Sequence, residues 1–351
     1  MARIGRSPAK DAASAFRPGL WRIVVPIHIP QITDDYFAGQ LEAFHHCIGS
    51  ITSTSSRNAL TTIVADGCDS EALKVIEQVA SCHGVDQLLV NRQNRGKVGA
   101  ILGAARGSHE PYIVFLDGDS ILLPGWHKAV AGIFDAHPCT GVVSLMPNPA
   151  TTGYCTSSTV VGGLLRGRLG LKKGTISFDL VVRHHEQIQR PAGIPWSYEF
   201  FQVVIQRADH CVQVGGLHFA QVVSREALRV CHFYPLETAL GGKTVTVAID
   251  QPIDEAGFWR LAPNRPYAWH LGNSVTDEDL PESIRKIETH PTDVVGYPEC
   301  RDGRNGVSAP SGRPDALARV FPYPMRVGLK RAVIGLLRRR AASCGSRIAA
   351  Q

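Results

Sequence analysis

The chain has 351 residues, of which 44% are hydrophobic and 19% charged, and its formal net charge is +6. This composition is ordinary for a globular protein with one large domain or two modest ones. No stretch approaches the roughly 18 uncharged apolar residues of a membrane-spanning helix. The basic N-terminus also lacks the apolar segment of a secretory signal.

The cysteines and the distribution of positive charge narrow the class of protein further. Nine cysteines are scattered singly, without a Cys-x-x-Cys pair, so a disulfide framework is not expected and a reducing cytoplasm fits best. The last 26 residues hold seven basic and no acidic side chains, which leaves a net charge of −1 for the rest. The basic character therefore belongs to the C-terminal segment, and we expect no nucleic-acid interface on the globular part.

Strands and helices alternate through the first 137 residues. Near-continuous apolar runs predict strands over 21–30, 60–70, 85–91 and 111–117. Helical spacing predicts helices over 34–51, 71–82, 97–108 and 125–137; in the first of these, Phe37, Leu41, Phe44 and Ile48 share one face. Such alternation predicts an α/β fold, with a mostly parallel central sheet and helices on both faces.

The pattern is looser beyond residue 140. Strands are predicted over 141–147, 174–185, 243–249 and 263–273. The stretch 195–230 combines strand or helix with a Gly-Gly turn and a short helix beginning near Ser224. The segment 300–315 is rich in Gly, Pro, Ser and Arg, which is typical of a linker.

The stretch YIVFLDGDS places two carboxylates directly after the fourth strand. Ligands of parallel sheets sit at the carboxyl ends of the strands, so Asp66 after the second strand should converge with Asp117 and Asp119. Gly118 between the last two permits a sharp turn. Carboxylates so placed suit Mg²⁺ or Mn²⁺, which complete their shells with water and phosphate oxygens. The alternative is an exposed turn whose acids cap the next helix.

A glycine and a lysine begin the third helix. Gly96 lets the backbone approach a phosphate, and Lys97 can neutralise it at the helix N-terminus. A simple loop followed by a helical turn is the competing interpretation.

Taken in order, the segments IVVPIHIP, IVADGCDS, NRGKVGAILGAARG and YIVFLDGDS resemble the nucleotide-binding half of family 2 glycosyltransferases of the GT-A type. The resemblance covers about residues 20–145, and it is weaker over 195–273, where GGLHFAQVVSREAL and YAWHLGN are similar to the acceptor half.

The resemblance implies a role for each matching residue. Pro26 ends the first strand beside the nucleotide, and Asp66 accepts a hydrogen bond from the base. Lys97 lies near the nucleotide or its phosphates. Asp117 contacts the ribose or a metal-bound water, and Asp119 ligates the divalent ion.

Three further residues complete the expected site. Gly96 and Gly118 belong to the residues that bind the nucleotide sugar, and Asp117 is also counted among the metal ligands. His270 in WHLGN is the candidate for a histidine ligand, because it follows a predicted strand. A buried structural histidine is an equal alternative.

The chain departs from the family pattern in three places. Ile27, His28 and Ile29 stand where an aromatic residue and an asparagine are usual, and Ala65 replaces the first of two aspartates. No Glu-Asp pair of the kind that supplies the catalytic base of inverting members lies in the expected region. We rank Asp250 first and Asp254 second as the base that deprotonates the acceptor hydroxyl; a retaining enzyme needs none.

These observations predict a metal-dependent glycosyltransferase with Mn²⁺ or Mg²⁺, a nucleotide-sugar donor and a saccharide or lipid-linked acceptor, in surface polysaccharide or glycolipid synthesis. The alternative is a non-catalytic GT-A-like module that binds a nucleotide sugar. The predicted divisions are a flexible leader (1–18), a donor-binding half (19–145), an acceptor-binding half (146–299), and a linker with a basic tail (300–351).

The basic tail leaves two alternatives open. MRVGLKRAVIGLLRRRAAS at 325–343 reads as a basic amphipathic helix that lies on an anionic membrane surface, which would make the cytoplasmic protein peripheral to the membrane. It reads equally well as a terminal helix that packs on the domain and exposes a basic face.

Overall fold

The computed structural model describes residues 19–172 apart from 38 and 57, together with residues 182, 184, 202–207, 210–233, 243–272 and 312–348. Strands in these residues have the following bounds: β1 Trp21–Ile27, β2 Ala59–Asp66, β3 Gln87–Asn91, β4 Tyr112–Leu116, β5 Ser120–Leu122, β6 Thr140–Ser144, β7 Leu169–Lys172, β8 Gln202–Arg207, β9 His210–Val214, β10 Ala220–Ser224, β11 Trp259–Ala262 and β12 Ala268–His270.

The helices have these bounds: α1 Gln40–Thr54, α2 Ser70–Cys82, α3 Gly96–Arg106, α4 Trp126–Ala136, α5 Ser157–Leu165, α6 Arg225–Leu228, α7 Lys243–Val245, α8 Gln251–Glu255, α9 Ala316–Arg319 and α10 Tyr323–Ile348. A 3-10 turn covers Pro149–Gly153. A π-helical turn, Thr246–Asp250, joins α7 to α8.

Ten of these strands form one mixed sheet in the order β3-β2-β1-β4-β10-β6-β11-β9-β8-β7. The first four are parallel to one another. Strand β10 lies between β4 and β6 and is antiparallel to both. Strand β11 is parallel to β6, whereas β9, β8 and β7 continue the sheet with antiparallel pairings. Strands β5 and β12 pair separately.

The alternation of side chains in β1 shows how the sheet is covered on both faces. Trp21, Ile23 and Val25 pack in a buried core with α1, α2 and α4, while Val24 packs in a second core with α3 and α6. Because successive side chains of a strand point to opposite faces, a fully apolar strand needs a helical layer on each side. The predicted α/β fold is therefore confirmed.

The elements predicted in the first 137 residues are all present, with shifted bounds. Asp69 caps α2, since its carboxylate accepts a hydrogen bond from the Ala72 amide at 2.7 Å. The short helix predicted near Ser224 is also present, and the Ser224 hydroxyl caps it.

Two later predictions need correction. The strand predicted over 243–249 is helical, because Val245, Ala248, Ile249 and Ile253 recur at helical spacing and pack into the second core. The strand predicted over 263–273 is restricted to β12. The strand predicted over 174–185 falls almost entirely outside the described residues.

The described part of the C-terminal segment packs on the domain. Asp315 caps α9, and its carboxylate also pairs with Arg166 and accepts a hydrogen bond from the Trp259 indole. Helix α10 packs against α5. The predicted linker lies mostly outside the described residues, and the division into leader, halves and tail stays a prediction.

Candidate active site

The carboxyl ends of β2 and β4 bring acidic residues to one edge of the sheet. These strands lie on either side of β1. Asp66 is the last residue of β2, and Asp117 directly follows β4. Helix α3, which begins at Gly96, follows β3 at the same edge. The parallel pairing thus produces the predicted arrangement at this edge.

Asp66 is buried, and its carboxylate fixes the loop that precedes α3. It accepts hydrogen bonds from the Asn91 amide group at 2.8 Å and from the Arg95 backbone at 3.0 Å. Its contact with a nucleotide base stays a prediction.

His28 extends this network across the end of β1, and the sequence analysis did not assign it a role. The Asp66 carbonyl lies 2.5 Å from Nδ1, and the Asn94 side-chain amide lies 3.0 Å from Nε2. A tautomer protonated at Nδ1 satisfies both bonds, because it donates to the carbonyl and accepts from the amide. The signal in the sequence is a histidine directly after the first strand.

Asp117 forms a close ion pair with Lys97. The Lys97 ammonium lies 2.5 Å from Oδ1 and 2.6 Å from Oδ2 of Asp117. The side chains are 33% and 24% exposed, so the pair can be reached from solvent. A lysine at the start of a helix therefore lies beside the first carboxylate of the turn, a contact that the sequence analysis did not predict.

Gly118 allows the turn to pass beneath the end of β1. A Cβ atom at this position would lie 3.2 Å from the Pro26 carbonyl and 3.5 Å from the Phe44 ring. Pro26 is the penultimate residue of β1. β1 therefore continues one residue past Pro26, and the glycine lets the turn that carries the two aspartates pass close to this end of the strand.

Asp119 and His270 meet because β5 and β12 pair. His270 is opposite Ser120 in this pairing, and the Leu271 amide donates to the Asp119 carbonyl at 2.7 Å. The imidazole Nε2 lies 3.3 Å from Oδ2 of Asp119. Two residues 151 positions apart in the sequence are thereby in contact.

The Asp119–His270 contact changes the pKa of both groups. Burial opposes the ionisation of Asp119, but the hydrogen bond from His270 and the charges of His270 and Lys97 outweigh it and lower the pKa of Asp119. Burial likewise opposes the charge on His270, and the Asp119 carboxylate outweighs it and raises the pKa of His270. Each group therefore favours the charged form of the other.

The predicted metal ligands are not all brought together. No group of three or more His, Cys, Asp or Glu side chains in the described residues is arranged to hold a metal ion, and the Asp117 carboxylate pairs with Lys97. Asp119 and His270 alone provide an oxygen and a nitrogen ligand side by side. The Nδ1 atom of His270 is buried without a hydrogen-bond partner. This pair fits a divalent ion that takes its other ligands from water and substrate.

Asp250 and Asp254, the predicted bases, are both 1% exposed. Asp250 pairs with the buried guanidinium of Arg260 and accepts a hydrogen bond from the Tyr154 hydroxyl at 2.8 Å. Asp250 lies on a π-helical turn and not at a strand end. Asp254 accepts hydrogen bonds from the first amides of α5, at Ser157 and Ser158.

These partners give both carboxylates a structural role. Asp250 neutralises a buried cation, and Asp254 stabilises a helix N-terminus. Their assignment as catalytic bases stays a prediction.

His218, which the sequence analysis did not single out, lies near Tyr154. Its ring centroid is 6.2 Å from that of Tyr154. Burial lowers the pKa of His218, and the charges of Lys97, Asp117, Asp250 and Arg260 all act on it. The Gly-Gly turn before it was the signal that could have identified this residue.

Comparison with known proteins addresses the segment that carries these residues. A family model described as glycosyl transferase family 2 matches residues 41–153. This segment is similar to family 2 glycosyltransferases. It contains Asp66, Lys97, Asp117 and Asp119, but neither Asp250 nor His270. The predicted resemblance is confirmed over this part of the chain, and it supports a glycosyltransferase.

Solved structures give weaker similarities. The mannosyltransferase PcManGT from Pyrobaculum calidifontis, in complex with GDP-Man and Mn²⁺, is 14% identical with a TM-score of 0.42; the match covers 95% of this chain and 81% of that one. TarS 1-349 from S. aureus, in complex with UDP, is 11% identical with a TM-score of 0.41, and the shares are 74% and 61%.

GalNAc-T7 with UDP, GalNAc and Mn²⁺ is 14% identical with a TM-score of 0.42; the shares are 74% of this chain and 46% of that one. The match thus spans less than two thirds of the TarS and GalNAc-T7 chains. Similarities of this size assign no substrate. No curated protein matches the chain. In the part of the chain that the structure describes, no helix has the length and hydrophobicity needed to cross a bilayer.

Proposed function

We propose that this protein is a glycosyltransferase that moves a sugar from a nucleotide-sugar donor to a hydroxyl acceptor, with Mn²⁺ or Mg²⁺ at Asp119. The proposal rests on two charged pairs. One lies within the family 2 segment, and the other joins that segment to His270. Lys97 pairs with Asp117, and His270 pairs with Asp119.

The donor binds along the carboxyl edge of β1, β2 and β4. Asp66 and His28 order the loop before α3, so that this loop forms one wall of the base site. Lys97 and the N-terminus of α3 present positive charge to the diphosphate. The Gly96 backbone, with φ of 71°, adopts a conformation that favours glycine.

Asp119 and His270 would hold the divalent ion, which would supply positive charge to stabilise the leaving diphosphate. Asp117 keeps its proposed contact with the ribose or a metal-bound water, and its pairing with Lys97 orients it. In the structure the His270 imidazole lies directly beside Asp119.

The acceptor binds on the side of β10 and the π-helical turn, in the half proposed as 146–299. Asp250 ranks ahead of Asp254 as the base, because Asp250 contacts Tyr154, whose ring neighbours His218. Burial of both carboxylates supports the second candidate function, a module that holds a nucleotide sugar without transferring it.

The family resemblance supports a cytoplasmic enzyme of surface polysaccharide or glycolipid synthesis, with a saccharide or lipid-linked acceptor. This context rests on analogy with the family.

Calorimetric titration of UDP and GDP, with Mn²⁺ and with EDTA, tests the donor site. We expect one nucleotide to bind in the presence of Mn²⁺ and to lose most of its affinity in EDTA or in Asp119→Ala. The matched control is Asp35→Ala, since Asp35 is exposed.

Each outcome separates the candidates. Binding that depends on neither the ion nor Asp119 contradicts the metal assignment. Metal-dependent binding of a nucleotide sugar that is neither hydrolysed nor transferred favours the non-catalytic module.

A further inference from the structure

Helix α10 carries two opposite stripes of side chains with the same spacing. The inward stripe is buried or partly buried and consists of Tyr323, Arg326, Lys330, Ile334 and Leu337. The outward stripe is exposed or partly exposed and consists of Met325, Gly328, Ala332, Leu336 and Arg339. Both stripes follow i, i+3, i+7, i+11 and i+14, which is one face of a helix.

The inward stripe anchors α10 through buried cations. The Arg326 guanidinium donates to the Glu255 carbonyl at 2.7 Å and to the Ser158 hydroxyl at 2.5 Å. The Lys330 ammonium donates to the Gly153 carbonyl at 2.9 Å. Two of the seven basic residues of this segment therefore serve the fold and do not face solvent.

The outward stripe combines exposed apolar side chains with the basic Arg339, and Arg331 is exposed to one side of it. Leu336 is 60% exposed and Met325 is 52% exposed. Arg331 and Arg339 are exposed beside them. Val320, which lies between α9 and this helix, is 71% exposed. The stretch from Arg326 onward contains no acidic residue, so no side chain of this stretch offsets the positive charge.

We propose that the outward stripe of α10, with Met325, Leu336 and Arg339, docks on an anionic phospholipid surface together with the neighbouring exposed residues Val320 and Arg331. Apolar side chains flanked by arginines match the boundary between acyl chains and acidic headgroups. Because the inward stripe holds α10 on the domain, docking brings the whole protein to the surface and does not require the helix to detach. This deepens the proposed function, since a lipid-linked acceptor resides at such a surface.

Co-sedimentation of the full chain with vesicles tests the proposal. One set of vesicles contains equal parts of phosphatidylcholine and phosphatidylglycerol, and the other contains phosphatidylcholine alone. The test variant combines Arg331→Gln, Arg339→Gln and Leu336→Ser. The control combines Lys128→Gln and Arg229→Gln, which removes the same charge from exposed positions on α4 and beyond α6. Thermal unfolding by circular dichroism shows that each variant is folded.

The wild type and the control should bind the anionic vesicles and should not bind the neutral ones. Each basic residue near an anionic surface strengthens binding about fivefold, so the test variant should bind at least 20-fold more weakly, by roughly the product of two such steps. Equal binding by wild type and test variant overturns the proposal, as does absence of binding at low salt.

Two further outcomes also overturn it. If a duplex oligonucleotide displaces the wild type from the vesicles, the face is a general polyanion site. If the wild type forms dimers that the test variant does not form, the occupant is a second copy of the chain. Nucleotide binding, measured by calorimetry on the same variants, reports separately on the proposed function.

Discussion

At the scale of single residues, the candidate site is a set of carboxylates whose charge is balanced by nearby cations. Lys97 neutralises Asp117, and His270 neutralises Asp119. These two pairs therefore carry little net charge before a substrate enters. A diphosphate needs these cations, so its arrival must redistribute the pairs.

Lys97→Met tests this exchange. The variant keeps the length of the side chain and removes the ammonium, so nucleotide diphosphates lose a charge-assisted hydrogen bond of about 1.5–3 kcal/mol. We expect the Kd for the bound nucleotide to rise roughly 10- to 100-fold, measured by calorimetry with Mn²⁺. Lys74→Met, which changes an exposed lysine on α2, should leave Kd unchanged. An unaltered Kd in Lys97→Met would remove this lysine from the donor site.

The sequence located one half of this site and not the other. Asp66, Asp117 and Lys97 follow predicted parallel strands, and topology alone brings such residues to one edge. No such rule predicts the positions of Tyr154, His218 and Arg260. Their contacts depend on a tertiary arrangement in which a loop, a π-helical turn and a strand meet.

At the scale of elements, apolar periodicity predicted the long helices and strands and failed for the short ones. The alternating strands and helices up to residue 137 carry strong apolar patterns. Strand β5 has three residues, as does β12, and this is too short for a periodic signal. The run of Thr and Val in 244–247 suggested a strand. The segment is helical because it packs against the second core.

Arg326→Met tests the anchoring of α10. The guanidinium bonds to two carbonyls and a hydroxyl in a buried site, and its removal leaves these acceptors unsatisfied. We expect the free energy of unfolding to fall by roughly 2–4 kcal/mol, measured by chemical denaturation with tryptophan fluorescence.

The matched control for this variant is Arg331→Met, on the exposed side of the same helix. Its effect should stay within about 0.5 kcal/mol. Equal effects of the two substitutions would mean that the helix is not held by its inward cations.

At the scale of the whole molecule, buried histidines link stability to acidity. Burial lowers the pKa of His127 to about 4, and it lowers the pKa of His137 to about 4 as well. The Ser56 amide donates to Nε2 of His127 at 2.8 Å, which requires that nitrogen to be unprotonated.

The direction of the change in stability with pH follows from how many protons the folded and unfolded states bind. In the unfolded chain a histidine binds its proton near pH 6.5, so between pH 6.5 and pH 4 the unfolded state binds more protons. Stability is therefore complete above pH 6.5 and falls as the pH drops toward 4. Each histidine accounts for roughly 2–3 kcal/mol over this range.

Denaturation of His127→Gln at pH 7 and pH 4.5 measures this contribution. The variant should lose less stability on acidification than the wild type, because glutamine still accepts the Ser56 bond and does not titrate. His109→Gln, at an exposed position, should retain the full pH dependence. The same loss in all three proteins would assign acid sensitivity to other groups.

The position of β10 between β4 and β6 has a consequence for the order of synthesis. When residue 153 has been translated, β4 and β6 both exist, but the strand that joins them comes about 70 residues later. Until then each presents a bare, apolar edge, which is the kind of surface that pairs with other chains. The nascent protein must therefore protect these edges until β10 arrives, and the segment that the family model matches is not a unit that closes its own sheet.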